Sequence, residues 1–223
     1  EPVLEMILDR LSPTVQLALA GLLCSLMIGV PLGMVAAMQR GGWFDAFTMT
    51  FSYLGASTPV FFLGLILIFL FSFGLGWFPS AGATGFRTLV MPAVTLGLIN
   101  AGLIARLMRS SMLEVLGEDY MRTGRAKGLP PQLLLARHGL KNAMIPVVTI
   151  LGLQFGNMLA GTVVTETVFS RPGVGRMIVS AILAKDYPLI QGAVLFLSGM
   201  YVTASLTVDI LYAWLDPRIR YDR

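Results

Sequence analysis

The sequence predicts an all-α polytopic membrane protein with five spans. Three observations carry the prediction: an apolar excess no single core can absorb, five long uncharged stretches, and an uneven distribution of basic residues. Of 223 residues, 56% are hydrophobic and 13% charged, against about 25% charged in soluble domains. A soluble particle of this size must cover its outside with polar groups. Lipid is the solvent that suits this composition.

A bilayer core about 30 Å thick takes roughly 20 apolar residues in a helix. Stretches that meet or approach this run from Leu11 to Met38, Ala46 to about Phe73, Thr88 to Ala105, Asn142 to Thr165 and Tyr187 to Val208. Beyond Phe73 the chain stays uncharged to Phe86, but Gly74, Gly76, Pro79, Gly82 and Gly85 make that tail a loop or a re-entrant piece. The third stretch is the shortest, and it can lengthen past Arg106 if that side chain snorkels to the headgroups. Pro31, Pro59 and Pro146 fall within spans and Pro92 near the start of one. Such prolines are tolerated where neighbours or cavity water satisfy the freed carbonyls.

If the five spans alternate, Arg40, Arg106, Arg109, Arg122, Arg125, Lys127, Arg137, Lys141, Arg218, Arg220 and Arg223 fall on one side. Only Arg10, Arg87, Arg171, Arg176 and Lys185 fall on the other. That bias puts the first group in the cytoplasm. The first residue present then lies outside and the C-terminus inside, as an odd number of spans requires.

Most connections are short. The exception, residues 106–141, lies on the positive face and reads RLMRSSMLEVLGEDYMRTGRAKGLPPQLLLARHGLK. Glu118 and Asp119 precede a helix-compatible run from Tyr120 to Lys127, which suits the positive end of a helix dipole. Gly128 stops that run, and Pro130 and Pro131 prevent one continuous helix. A second short helix from Gln132 to Leu140 leads into the fourth span. The segment is a compact helix-turn-helix, too ordered for a flexible linker.

This segment resembles the cytoplasmic coupling loop of binding-protein-dependent ABC importer permeases. Arg122-Thr123-Gly124 stands at the family's Glu-Ala-Ala-like triplet, Arg125-Ala126-Lys127 at the spacer and Gly128 at the glycine. DYMRTGRAKG followed by RHGLKNAMIPVV is similar to the peptide, nickel and glutathione branch. The usual triplet there is Arg-Thr-Ala, so Gly124 departs from it and is expected to weaken the helix by up to about 1 kcal/mol. Lys141 stands where sugar permeases have proline, and Pro146 follows. Thr165 to Ala193 resembles the family's extracytoplasmic turn and short helix, and Val208 to Tyr221 its closing signature. Gly42 to Thr48 and Gly74 to Gly82 fit its first cytoplasmic and second external loops.

The resemblance implies the ABC type I importer transmembrane fold, with residues 1–223 as one permease domain, 106–141 as coupling loop and 166–186 as extracytoplasmic loop. Family members carry a further N-terminal span and a long external segment, so five spans here imply six in the full-length subunit. The implied function is movement of di- or oligopeptides, or related small solutes, across a bacterial or archaeal inner membrane. The implied partners are a homologous second permease, two ABC ATPases and an extracytoplasmic solute-binding protein, with no nucleic acid. Tyr120, Met121, Arg122, Thr123, Gly124, Arg125, Ala126, Lys127, Gly128 and Leu129 form the implied ATPase-coupling set. Met121, Ala126 and Leu129 would enter a groove on the ATPase, with Arg122, Arg125 and Lys127 on its acidic rim.

Other candidates are weaker. No GxxxxGK[ST] occurs, so ATP and its magnesium are expected on partner subunits and no cofactor in this chain. A lone His138 in a charged loop and a lone Cys24 in an apolar run supply neither a catalytic set nor a metal site. Asp209, near the end of the last span, is expected to pair with Arg106 or Arg109. Ser57, Thr58, Asn100, Gln154, Asn157 and Thr162 are polar within spans, and each suits helix packing better than a solute path. Glu166 and Arg171 are expected to shape an outer vestibule. The competing class, a gradient-driven secondary transporter or channel subunit, wants repeated halves or intramembrane ionisable residues, and neither is evident here.

Overall fold

The computed structural model describes residues 2–82 and 85–215, with side chains for all of these except 131, 132 and 208–215. Its elements are α1 (Val3–Met38), α2 (Trp43–Ser57), α3 (Val60–Leu67) with a π-helical continuation (Ile68–Gly74), and α4 (Phe86–Gly117). Then follow α5 (Asp119–Ala126), α6 (Pro131–Leu134), a second π-helical turn (Leu135–Leu140), α7 (Lys141–Val168), α8 (Val174–Ala184) and α9 (Tyr187–Leu215). Among the described residues there is no strand. Among the described residues four helices are long and apolar enough to cross a membrane, or five spans if residues 43–57 and 60–74 form one broken span.

The expected spans are present, but their helices outrun them. α1 begins at Val3 rather than Leu11 and includes Asp9 and Arg10, and α4 runs on through Arg106 and Arg109 to Gly117. A charged turn ends an apolar span; it does not end a helix, because backbone hydrogen bonding is indifferent to which solvent the side chain meets. The second span departs most. Pro59 crowds the residue before it, and Thr58 takes an extended conformation (φ −87°, ψ 123°), so α2 stops there and α3 starts afresh.

The chain divides into two compact units. The first comprises Glu1–Leu22, Pro59–Leu96 and Leu151–Arg223, the second Leu23–Thr58 and Gly97–Ile150. In the first, α8 buries Val174, Met177, Ile178 and Ala181 against Ile7 of α1 and Leu189 and Ala193 of α9. Gly64 of α3 faces Phe169 and Val168, and Ile68, Met91 and Phe169 close a second cluster.

In the second unit, helix packing rests on small residues. Gly29 and Gly33 of α1 stand one turn apart. A β-carbon at Gly29 would lie 2.7 Å from the Ala101 carbonyl oxygen, and one at Gly33 would press on that of Ala105. Ala101, Ile104, Ala105 and Met108 are fully buried there. On its other side α4 offers Gly102 to the Ser52 backbone of α2. With lipid as solvent no hydrophobic force drives helices together, so close backbone approach and the dispersion it allows hold them instead.

Candidate functional site

The segment after α4 forms a small helical knuckle within the second unit. Glu118 is extended (φ −65°, ψ 149°), and its carbonyl accepts from the Met121 and Arg122 N–H groups, which starts α5. Asp119 sits in the first turn and Arg125 in the last, each favourable to the helix dipole. At the far end the Leu129 N–H reaches the Gly124 carbonyl at 3.2 Å and the Gly128 N–H that of Arg125 at 3.0 Å. These are the paired bonds of a Schellman motif, whose penultimate residue must be left-handed; Gly128 has φ +75°. The second expected helix starts at Pro131 and does not stop at Leu140, because the π-helical turn carries it directly into α7.

Of the expected coupling residues, Tyr120, Arg122, Thr123, Arg125, Ala126, Lys127 and Gly128 are exposed and Leu129 is half-buried. Met121 and Gly124 correct the sequence reading. Both face inward, and Met121 is fully buried in this chain's own interior, so its side chain is not offered to a partner's groove. Gly124 also has a packing reason. A β-carbon there would lie 2.5 Å from Leu134 Cδ1 and 3.6 Å from Leu129 Cδ1, so these leucines close over bare backbone. The lost helix propensity exchanges for burial of Leu134, which is 3% exposed. Polar ties complete the mounting: Asn142 donates to the Tyr120 hydroxyl at 2.9 Å and Arg125 to the Leu116 carbonyl at 3.4 Å. His138 is exposed beside the knuckle.

Arg109 has a partner that sequence reasoning missed. Its guanidinium makes a two-pronged pair with Asp45 of α2, Nε to Oδ1 and Nη2 to Oδ2, the latter at 2.7 Å. Asp45 Oδ2 also accepts from the Gly41 N–H at 3.0 Å, which ties down the turn between α1 and α2. Arg106 donates to the Ser52 carbonyl at 3.3 Å and lies 5.5 Å from the Tyr53 ring centre. The side chain of Asp209, their expected partner, lies outside the described residues. No sequence spacing links positions 45 and 109; only the fold brings them together.

Glu166 and Arg171 do not line a vestibule, because both are buried, at 0% and 2% exposure. Glu166 accepts from the Thr14 hydroxyl at 2.6 Å and from the Arg176 N–H at 3.1 Å, and Thr14 accepts from the Val174 N–H at 2.9 Å. The carboxylate of α7 and the hydroxyl of α1 thus satisfy the free N–H groups that open α8. A β-carbon at Gly173 would overlap that carboxylate, which explains the glycine. Arg171 reaches the Pro13 carbonyl and Gln16 Oε1 at 3.5 and 3.4 Å. Burial pushes its guanidinium below the usual pKa, and the Glu166 charge opposes that shift.

Gln154 and Thr162 are buried, while Asn157 is exposed and donates to Gln154 Oε1 at 3.1 Å. A groove of about 640 Å³ along α9 is lined by Phe155, Phe196, Gly199, Met200, Thr203, Ala204 and Thr207, with no charged group. Among the described residues no three His, Cys, Asp or Glu side chains gather in a metal-holding group.

Known proteins are similar to this chain in sequence and in fold. A protein of Sinorhizobium fredii described as a probable peptide ABC transporter permease is 46% identical over 228 residues, covering 99% of this chain and 73% of its own length. The glutathione transport system permease protein of Salmonella typhimurium is 45% identical over 220 residues, covering 99% of this chain and 72% of its own. Among solved structures, the inward-facing methionine ABC transporter MetNI matches with TM-score 0.80 at 17% identity, covering 97% of this chain and 99% of that one. An amino acid ABC transporter matches with TM-score 0.64 at 17% identity, covering 96% and 94%. The helices described above therefore adopt the fold of ABC importer transmembrane subunits. Residues 29–221 match the inner membrane components of binding-protein-dependent transport systems, and the chain belongs to that family.

Proposed function

We propose that this permease subunit imports peptides or glutathione-like small peptides, with α5 as the docking element for an ABC ATPase. The observation that carries the docking reading is the division of α5 into two faces. Met121 and Gly124 are committed to the chain's own interior, while Arg122 (paired with the exposed Asp119), Arg125 and the capping Lys127 stand out exposed. A short helix so mounted suits an acidic groove on a separate protein. The relatives described as peptide and glutathione permeases support the solute class.

Two ATPases bind below, one on α5 and one on the equivalent helix of a homologous second permease, and an extracytoplasmic binding protein delivers the solute. ATP binding draws the ATPases together and opens the path outward; hydrolysis resets it. The basic bias puts residues 106–141 and the C-terminus in the cytoplasm and residues 166–186 outside.

The test is uptake of a labelled dipeptide or glutathione into proteoliposomes holding the whole importer, with binding protein outside and ATP inside. Arg122→Glu with Lys127→Glu should release the ATPases and abolish uptake while the permease pair stays folded. Undiminished ATP-driven uptake in that double variant would count against the docking reading.

A further inference from the structure

Met121 of α5 and Met112 of α4 come together beside the helix that leads into α7. The Met121 side chain is fully buried, as is that of Met112. Both point at Gly139. A β-carbon there would lie 3.6 Å from Met112 Sδ and 3.7 Å from Met121 Cε. Gly139 belongs to the π-helical turn Leu135–Leu140, which runs without a break into α7. A π turn carries an extra residue per hydrogen-bonded loop, so it shifts the side chains around it relative to a regular helix, and such turns recur at functional sites. Here it sets a buried glycine where the two methionines converge.

The other ties of α5 differ in kind. Asn142 to Tyr120 and Arg125 to the Leu116 carbonyl are exposed hydrogen bonds, and water can replace either partner. Leu134 packs over Gly124 and ties α5 to the same continuous helix that holds Gly139, but the side chains that crowd Gly124 include none from α4. A displacement of α5 would stretch the exposed bonds at little cost. The space beside Gly139 would take a methyl group and little more, so a movement that drives Met121 inward soon meets Met112 and the π turn, and packed interiors transmit such strain.

We propose that Met121 and Gly139 are positioning residues for energy coupling. They form the joint through which a movement of α5 displaces α4 and the start of α7 together. The proposal rests on the reading of α5 as the ATPase-docking helix.

The test uses the whole importer in proteoliposomes, with solute uptake and ATP hydrolysis measured on the same vesicles and bound ATPase measured on the purified complex. Met121→Ala should keep the ATPases bound and hydrolysing, while solute moved per ATP falls roughly tenfold or more. Met121→Leu, which conserves volume, should recover coupling. Gly139→Ala should behave as the unaltered protein, since its β-carbon meets both methionines at ordinary contact distance; Gly139→Leu should uncouple as Met121→Ala does. If Met121→Ala is not recovered from the membrane, Met121→Val is read in its place. Unchanged solute per ATP in the Ala (or Val) and Gly139→Leu variants would overturn the joint. So would an equal proportional loss of uptake and hydrolysis with the ATPases still bound. An unaltered complex that holds no ATPase would instead remove the docking reading beneath it.

Discussion

Glu166 is a carboxylate whose water has been replaced by protein donors, and Thr14 is the residue that makes the exchange possible. The threonine hydroxyl donates a hydrogen bond to Glu166 and accepts one from the Val174 N–H. Removing it leaves two buried polar groups short of a partner, at about 1–3 kcal/mol for each such group. Thr14→Val keeps the shape and loses the hydroxyl, so its thermal unfolding temperature in detergent should fall measurably, while Thr14→Ser should stay near the unaltered value. Equal melting of the Val and Ser variants would mean that the hydroxyl does not hold α8. Gly128 shows how far a residue can be read without a structure. A glycine ending a helix just before two prolines already demands a left-handed stop, because both facts are local. The inward turn of Met121 was not legible, because the face a short helix buries depends on what the fold brings against it, here Gly139 and Met112.

The existence and order of the spans were readable, since a lipid-facing helix must be apolar along its length. What was not readable was how the helices continue past the apolar stretch. α1 and α4 carry charges that look like boundaries, yet the helices run on through them, and Ser52, Tyr53 and Asp45 receive Arg106 and Arg109. The break at Thr58–Pro59 was visible as a proline, but not as the end of one helix and the start of another. Packing between elements leaves a fainter sequence trace, the four-residue spacing of Gly29 and Gly33, whose meaning emerges only with Ala101 and Ala105 opposite. Gly33→Leu should force α1 and α4 apart and destabilise the chain by about 1–3 kcal/mol or more. The same change at Gly117, where a β-carbon meets nothing within 4 Å, should cost less. Unfolding midpoints of the two variants in the same detergent compare them directly; equal midpoints would show that the close approach does not matter.

At the scale of the molecule, composition places the chain in lipid, its family is that of the inner membrane components of binding-protein-dependent transport systems, and α5 keeps one side exposed that its own fold leaves open. The measurement that bears most directly on that last step is a cross-link from the exposed side of α5. Ala126→Cys, in the full importer in native membranes, should give a covalent adduct with an ATP-hydrolysing subunit when treated with a short thiol-reactive cross-linker. In the assembled complex the same cysteine should resist a bulky water-soluble maleimide. An Ala126→Cys thiol that labels freely in the intact assembly and yields no such adduct would contradict the account.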